Sequence, residues 1–308
     1  MPRKAKDRAV SRLSRLAAAA LVLAASRGPA ARAAEPASVD GPRSAAIAGV
    51  GHGSQGFVVT PNRIVFDGRR PYSTLTLANT GEGPAAYRLS LVRMRMSITG
   101  EITPVDTPAT GEAFADTLVR FSPHQFEVAP RSFQVVRLLV RIPPGLPEGE
   151  YRSHLLIQEI PVPGPNQEMV ASNQSGIQIR LTPVFGTAIP VIVRKGQPAA
   201  QVSFADLRYR PGTTPHEKSS LTLKLVRAGE RSIFGDLECF AVRPGHQPRV
   251  IGVLKGIAVY TPNPERQVEV ALESSPVDRG ESLRVRFSET SPYAGYAGAT
   301  AESTLLVR

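Results

Sequence analysis

The stretch "AAYRLSLVRMRM", residues 85–96, decides the fold class. Apolar Tyr87, Leu89 and Leu91 occupy every second position, with polar residues between them. Successive side chains of a strand point to opposite faces, so this alternation predicts a strand with one buried face and one solvated face. Nowhere in the chain does the apolar spacing of an amphipathic helix persist over several turns. We therefore predict an all-β protein.

The rest of the chain extends this pattern in two blocks. Alternating segments separated by turn sequences such as "TGEGP" and "PPGLPEGE" fill residues 57–196, and a second series fills residues 197–308. Strands at such spacing are typical of antiparallel sandwiches of about 100 residues. The sequence thus predicts two tandem immunoglobulin-like β-sandwich domains, with the boundary near "RKGQP", residues 194–198.

The N-terminus predicts an export signal. Six basic residues within the first 15 positions precede the apolar run 16–25 and a small-x-small pattern that ends at Ala33. We predict a signal peptide over residues 1–33 and, from its Ala, Gly, Ser and Pro content, a flexible segment over residues 34–56. No later apolar run is long enough for a membrane span, so we expect no membrane insertion.

Charge and cysteine content exclude several classes of protein. The formal net charge is +11, but most of the excess lies in the predicted signal peptide, and the remainder is too mild to indicate a nucleic-acid partner. A single cysteine, Cys239, rules out an intramolecular disulfide. Between Leu237 and Phe240, it is predicted to be a buried core residue, the alternative being a reactive thiol.

Catalytic and metal-binding motifs are missing from the sequence. The histidines are far apart, and none stands in a metal-ligand spacing. No nucleophile elbow, Walker A or Rossmann pattern occurs either. We predict that the protein is not an enzyme and needs no cofactor or metal.

A long strand candidate, "IQIRLTPVFGTAIPVIVR" (residues 177–194), allows two interpretations. Ile177, Ile179, Leu181 and Phe185 would share one face of it. They could face the core of their own domain, as in an ordinary last strand. Alternatively, an edge strand could lend these apolar side chains to another protein, which is the β-augmentation mode of binding.

The segment "PNRIVFDG", residues 61–68, places a charge among apolar neighbours. In a continuous strand Arg63 would point the same way as Val59 and Val65. Burying an unpaired guanidinium is costly. Arg63 is therefore expected either to reach water at a strand end or to bind a negatively charged partner.

Three segments together resemble the N-terminal domain of the periplasmic pilus chaperones, the PapD-like family. "NRIVFDG" is similar to that family's opening strand, "STLTLANTG" to its second strand, and "EYRSHLLIQEIP" to its acid-initiated strand. The resemblance covers about residues 57–196 well and the rest weakly. It implies a divergent periplasmic chaperone that binds secreted pilus-type subunits and delivers them to an outer-membrane usher.

The resemblance also implies roles for particular residues. In such chaperones a donor strand fills the groove of a subunit that lacks one strand, and basic residues bind the subunit's C-terminal carboxylate. Arg63 matches the first carboxylate anchor. Ile177, Ile179, Leu181 and Phe185 would be the donor residues, and Glu150 with Arg194 would form an interdomain salt bridge.

The sequence departs from the family at the second basic anchor, where Pro190 stands. Lys195 or Arg180 could replace it. Glu289 and Glu302 are candidates for an acid that completes the interdomain ion pair. These departures leave open an alternative function, a structural or adhesive envelope protein without chaperone activity.

Overall fold

In a computed structural model, the described residues are 56–161, 184–212, 214, 217–273, 277, 280–290 and 298–307, together with the backbone of 170–172 and 178–180. The predicted signal peptide and all but the last residue of the segment 34–56 lie outside these ranges. Within them no helix is long and apolar enough to span a membrane. The strands are β1 (Phe57–Thr60), β2 (Ile64–Phe66), β3 (Tyr72–Asn79), β4 (Ala85–Val92), β5 (Met94–Met96), β6 (Ile102–Pro104), β7 (Val119–Ser122), β8 (Gln125–Val128), β9 (Phe133–Val140), β10 (Gly149–Ile160), β11 (Val170–Ser172), β12 (Gln178–Arg180), β13 (Gly186–Lys195), β14 (Ala200–Arg210), β15 (Ser220–Gly229), β16 (Ile233–Val242), β17 (Arg249–Val259), β18 (Glu265–Ala271), β19 (Ser282–Glu289) and β20 (Thr300–Leu306).

The described strands β1 to β4, β7 to β10 and β13 build the two sheets of the first sandwich, and β5–β6 and β11–β12 form separate hairpins. One sheet has the order β1-β3-β9-β7 and the other the order β2-β13-β10-β4-β8. The first order corresponds to the ABED sheet of an immunoglobulin-like fold, and β13-β10-β4 corresponds to its GFC sheet, with β2 and β8 added at the two edges. The alternation noted in residues 85–96 is seen in β4, where Tyr87 and Leu89 are buried between the two sheets.

The second sandwich contains β14 to β20, in a sheet of order β14-β15-β18 and a sheet of order β17-β16-β19-β20. This is again the immunoglobulin-like arrangement, so the predicted fold class is confirmed. Its core includes Cys239, which is fully buried, as predicted. Burial raises the pKa of the Cys239 thiol to about 12, so the thiolate is disfavoured.

Two segments are each divided between the two sheets of the first sandwich. "FVVTPNRIVF" (residues 57–66) forms β1 in one sheet and β2 in the other, and "LVRFSPHQFEV" (118–128) forms β7 and β8. Each break contains a proline, Pro61 or Pro123. Proline has no N–H to donate to a strand ladder, so pairing ends there and the chain changes sheet.

A third apolar cluster joins the two sandwiches. Met96 and Ile192 from the first sandwich are buried against Ala258 and Tyr260 of the second. The β5–β6 hairpin adds a polar contact, in which the Asn263 side-chain amide donates to the Met96 carbonyl at 2.8 Å.

Candidate functional site

Arg63 stands directly before β2, at the edge of a sheet. β2 runs parallel to β13, with Ile64 opposite Val191. One residue earlier along this register, the backbone of Arg63 lies beside Pro190. Arg63 therefore marks the point at which β2 stops covering β13.

The side chain of Arg63 points toward the second sandwich. Its guanidinium carbon lies 4.5 Å from the centre of the Phe234 ring. Val65, two residues further on, packs against the same cluster between the sandwiches. The expectation that Val59 shares this face is wrong, because Val59 belongs to β1 and packs against the core of the first sandwich.

The charge of Arg63 lies near Glu150 and Glu289, but no described acid is within ion-pair distance of it. Its Nε is buried without a hydrogen-bond partner. Burial lowers the pKa of the Arg63 guanidinium, while the nearby Tyr260 and Glu150 oppose that shift. The site therefore holds a partly desolvated cation that can accept an external anion.

One edge of β13 is open beside Arg63. β10 pairs with β13 over Gly186–Lys195 on one side. On the other side β2 covers only Val191–Val193. No described strand covers Gly186–Pro190 on that side, so this part of β13 is a free strand edge.

The hydrogen-bonding groups of this edge can be assigned from the register. The Glu159 N–H donates to the Phe185 carbonyl at 2.9 Å. Bonded and non-bonded pairs alternate along an antiparallel ladder, so the odd-numbered residues of β13 bond to β10. Gly186, Ala188 and Pro190 consequently direct their backbone nitrogen and oxygen atoms outward.

Pro190, which replaces the expected second basic anchor, therefore breaks no bond to β10. Its ring nitrogen faces the open edge, where proline is tolerated. Lys195 does not replace the second anchor here. Its Nζ donates hydrogen bonds to the carbonyls of Pro144, at 2.9 Å, and Leu146. The side chain of Arg180 lies outside the described residues.

The predicted donor strand is not one continuous strand. β12 ends at Arg180 and pairs with β11 in a short hairpin, whereas β13 begins only at Gly186. Ile177 and Leu181 lie outside the described residues, as does the side chain of Ile179. Phe185 precedes β13, and 42% of its surface is exposed.

Glu150 and Arg194 meet across β10 and β13. The Arg194 Nε donates to Glu150 Oε2 at 2.9 Å, and both side chains are almost fully buried. Glu150 also accepts hydrogen bonds from the backbone N–H, at 3.1 Å, and the hydroxyl of Ser232 in the second sandwich. The pair thus lies at the junction of the sandwiches, and its role in setting their angle remains a prediction.

The two acids considered for this ion pair lie in different surroundings. Glu289 accepts from the Arg231 Nη2 at 2.9 Å, close to the junction. Glu302 lies on β20, with an oxygen 3.9 Å from Arg284 Nη1 on the neighbouring strand. Among the described residues, no group of three or more metal-ligating side chains comes together.

A pocket of about 610 Å³ opens beside Arg63. Its wall combines residues around β2 with residues of β13 and of the second sandwich. The polar and aromatic members are Asn62, Arg63, Asp67, Arg69, Arg70, Ser73, Arg194, Phe234, Glu289 and Thr290.

Sequence reasoning missed the contribution of the second sandwich. Phe234 and Ser232 carry no local motif and lie far from Arg63 and Glu150 in sequence. It also missed Tyr260, whose ring centre lies 4.4 Å from the guanidinium carbon of Arg152. The periodicity of a strand reports which residues are buried but not which distant strand they meet.

Comparison with known proteins finds likeness only among solved structures. No family model matches the chain, and no curated protein matches its sequence. The Pseudomonas aeruginosa CupB2 chaperone is 14% identical, with 81% of this chain and 100% of that chain covered and a TM-score of 0.40. The E. coli chaperone DraB is 13% identical, with 82% and 98% covered and a TM-score of 0.42.

A third similar structure is the CsuC–CsuE complex of a chaperone and a tip adhesion subunit, from chaperone-usher pili of Acinetobacter baumannii. It is 13% identical, with 76% of this chain and 93% of that chain covered and a TM-score of 0.38. At such identities and TM-scores we draw no functional conclusion from these likenesses.

Proposed function

We propose that this protein is a periplasmic chaperone that lends the open edge of β13 to secreted pilus-type subunits. A subunit that lacks one strand would complete its sheet on this edge, and Arg63 would bind its C-terminal carboxylate. One observation supports this most strongly. The free edge Gly186–Pro190 ends at Arg63, and no described acid pairs with that cation.

The proposal implies a direction for the bound strand. A carboxylate at Arg63 lies at the level of Pro190, so the preceding residues of the subunit extend back toward Gly186. The subunit strand then runs parallel to β13. It can receive hydrogen bonds from the N–H groups of Gly186 and Ala188, while a guanidinium can bind the carboxylate through two parallel hydrogen bonds.

The alternation of β13 supports the choice of donor side chains. Ile189, Val191 and Val193 face the core of the first sandwich. Phe185 has the same parity but lies beyond the buried stretch and is exposed. Ile177, Ile179 and Leu181, which lie upstream of β13, are proposed as further donor side chains that enter the groove of the subunit.

The wider role follows from the sequence resemblance. We propose export by a cleaved signal peptide, action in the periplasm and delivery of the subunit to an outer-membrane usher. We also propose that residues 57–196 form the subunit-binding domain and residues 197–308 the second domain, with Glu150 and Arg194 holding the angle between them. No cofactor and no catalysis are part of this role.

A peptide-binding experiment tests the proposal. The probe is a 12-residue synthetic peptide of alternating valine and serine that ends in glutamine, made with either a free C-terminal carboxylate or an amide. Wild-type protein should bind the carboxylate form more tightly by about 2 to 5 kcal/mol, and Arg63→Gln should remove that preference. Equal binding of both forms by the wild type would overturn the assignment of Arg63.

The structural or adhesive alternative is favoured by one observation. Pro190 occupies the position of the second anchor, and Lys195 is bound to carbonyl groups elsewhere. A protein without subunit-binding activity would bind neither peptide form at the edge of β13. Loss of binding in both forms would therefore favour this alternative.

A further inference from the structure

The pocket beside Arg63 carries an excess of positive charge. Its lining includes four arginines and two acids, namely Arg63, Arg69, Arg70 and Arg194 with Asp67 and Glu289. The acids cannot neutralise all four cations. The arginines that form no ion pair indicate what the pocket can bind.

The acids near the pocket already form ion pairs with arginines other than Arg63 and Arg70. The pairs are Arg194 with Glu150 at 2.9 Å, Arg231 with Glu289 at 2.9 Å, and Arg69 with Asp67 at 3.6 Å. Among the described residues, Arg63 and Arg70 form no ion pair with any acid. The pocket therefore presents two arginine side chains that form no ion pair with a described acid.

These two charges lie at different places along the pocket. Arg63 precedes β2, and Arg70 is exposed in the connection to β3, after a turn at Gly68 with a φ of 85°. A single carboxylate that accepts hydrogen bonds from two nitrogens of the Arg63 guanidinium would leave Arg70 without an anionic partner.

We infer that the pocket selects a chain terminus with two negative charges, the α-carboxylate and the side chain of a C-terminal Asp or Glu. Arg63 binds the α-carboxylate and Arg70 binds the side-chain carboxylate. This inference rests on the proposed function, since it specifies which subunit termini the site accepts. It assigns Arg70 as a residue that determines specificity, distinct from the anchor itself.

A second pair of peptides separates the two roles. The alternating valine–serine peptide is made with a free carboxylate and either Glu or Gln as its last residue. Wild-type protein should bind the Glu peptide about three- to tenfold more tightly than the Gln peptide. Arg70→Gln should abolish this difference and leave the affinity for the Gln peptide unchanged.

The control variant is Arg137→Gln, which removes an exposed charge from β9 outside the pocket and should keep the preference for Glu. Equal affinity of the wild type for the Glu and Gln peptides would overturn the inference. So would an equal loss for both peptides in Arg70→Gln, because Arg70 would then hold the same carboxylate as Arg63.

Small acids test the pocket independently of strand donation. Glutarate carries two carboxylates and butyrate one, and both can be titrated at constant ionic strength while amide NMR shifts are followed. Glutarate should bind the wild type more tightly than butyrate, and Arg70→Gln should bind the two equally. If glutarate shows this preference but no peptide binds, the charge assignment survives and the proposed function fails. Equal binding of both acids by the wild type overturns the inference.

Discussion

The guanidinium carbon of Arg63 lies 4.5 Å from the centre of the Phe234 ring, so a residue of the first sandwich is held by an aromatic side chain of the second. Such a cation–π contact stabilises the position of the guanidinium without neutralising its charge. An acid in the same place would compete with a carboxylate ligand. The ring therefore keeps Arg63 in position and leaves its charge available.

Removing the Arg63 charge should not destabilise the free protein. Arg63→Met deletes a partly desolvated cation that forms no ion pair with a described acid, and it keeps apolar contact with Phe234. We expect the free energy of unfolding to stay within about 1 kcal/mol of the wild type or to rise. Urea denaturation followed by circular dichroism measures this, and a loss of several kcal/mol would show that Arg63 is mainly structural.

Breaking the Glu150–Arg194 pair should have the opposite effect. Arg194→Met leaves the fully buried carboxylate of Glu150 without its cation, which should cost about 3 to 5 kcal/mol of stability. The matched control is Arg131→Met, because Arg131 pairs with Glu82 at 2.6 Å on the surface. That exposed pair should contribute less than about 1 kcal/mol. Similar losses of stability in the two variants would contradict the expectation that the buried ion pair contributes more than the exposed one.

The direction of the backbone groups in β13 can be tested with proline. Ala188→Pro removes an N–H that faces the open edge, so it should weaken peptide binding with little loss of stability. Thr187→Pro removes an N–H that faces β10, so it should mainly destabilise the protein. Thermal unfolding and peptide titration of both variants measure these effects. A larger loss of stability in Ala188→Pro than in Thr187→Pro would show that the Ala188 N–H, and not the Thr187 N–H, faces β10.

Stability should fall as the pH falls below neutrality, partly because of His154. Burial, with a contribution from the charge of Arg152, lowers the pKa of His154 to about 3, whereas an unfolded histidine titrates near 6.5. Between these values the unfolded state binds the proton that the folded state excludes. This stability is complete above about pH 6.5 and is lost as the pH drops toward 3.

The variant His154→Phe keeps a ring against Tyr260 but cannot be protonated. Between pH 7.5 and 5.5 the wild type should lose about 1.4 kcal/mol more unfolding free energy than this variant. Urea denaturation at the two pH values gives the comparison. Parallel losses in both proteins would show that His154 does not contribute to the pH dependence.

Much of the fold could be predicted from the sequence because alternation is a local signal. Tyr87 and Leu89 identify a half-buried strand without any knowledge of its neighbours. The changes of sheet at Pro61 and Pro123 could not be predicted in this way. A proline marks the end of pairing, but alternation does not say which sheet the next strand joins.

The candidate site could be predicted only in part. The segment containing Arg63 stood out because a charge interrupts an apolar strand. The partner ring of Phe234 comes from the other sandwich, and no local pattern connects the two. Pro190 reads in the sequence as a lost anchor, whereas its place in the register directs its nitrogen to the open edge. The ring contact and the direction of the Pro190 nitrogen depend on which strands pair, and long-range packing decides the pairing.

The central claim is that a subunit strand pairs with the open edge of β13 and ends at Arg63. Amide hydrogen exchange at Gly186 and Ala188, measured with and without the free-carboxylate peptide, tests it most directly. We predict that both amides become protected when the peptide binds the wild type, and that Arg63→Gln loses this protection at the same peptide concentration. Binding that leaves the exchange of both amides unchanged would contradict the claim.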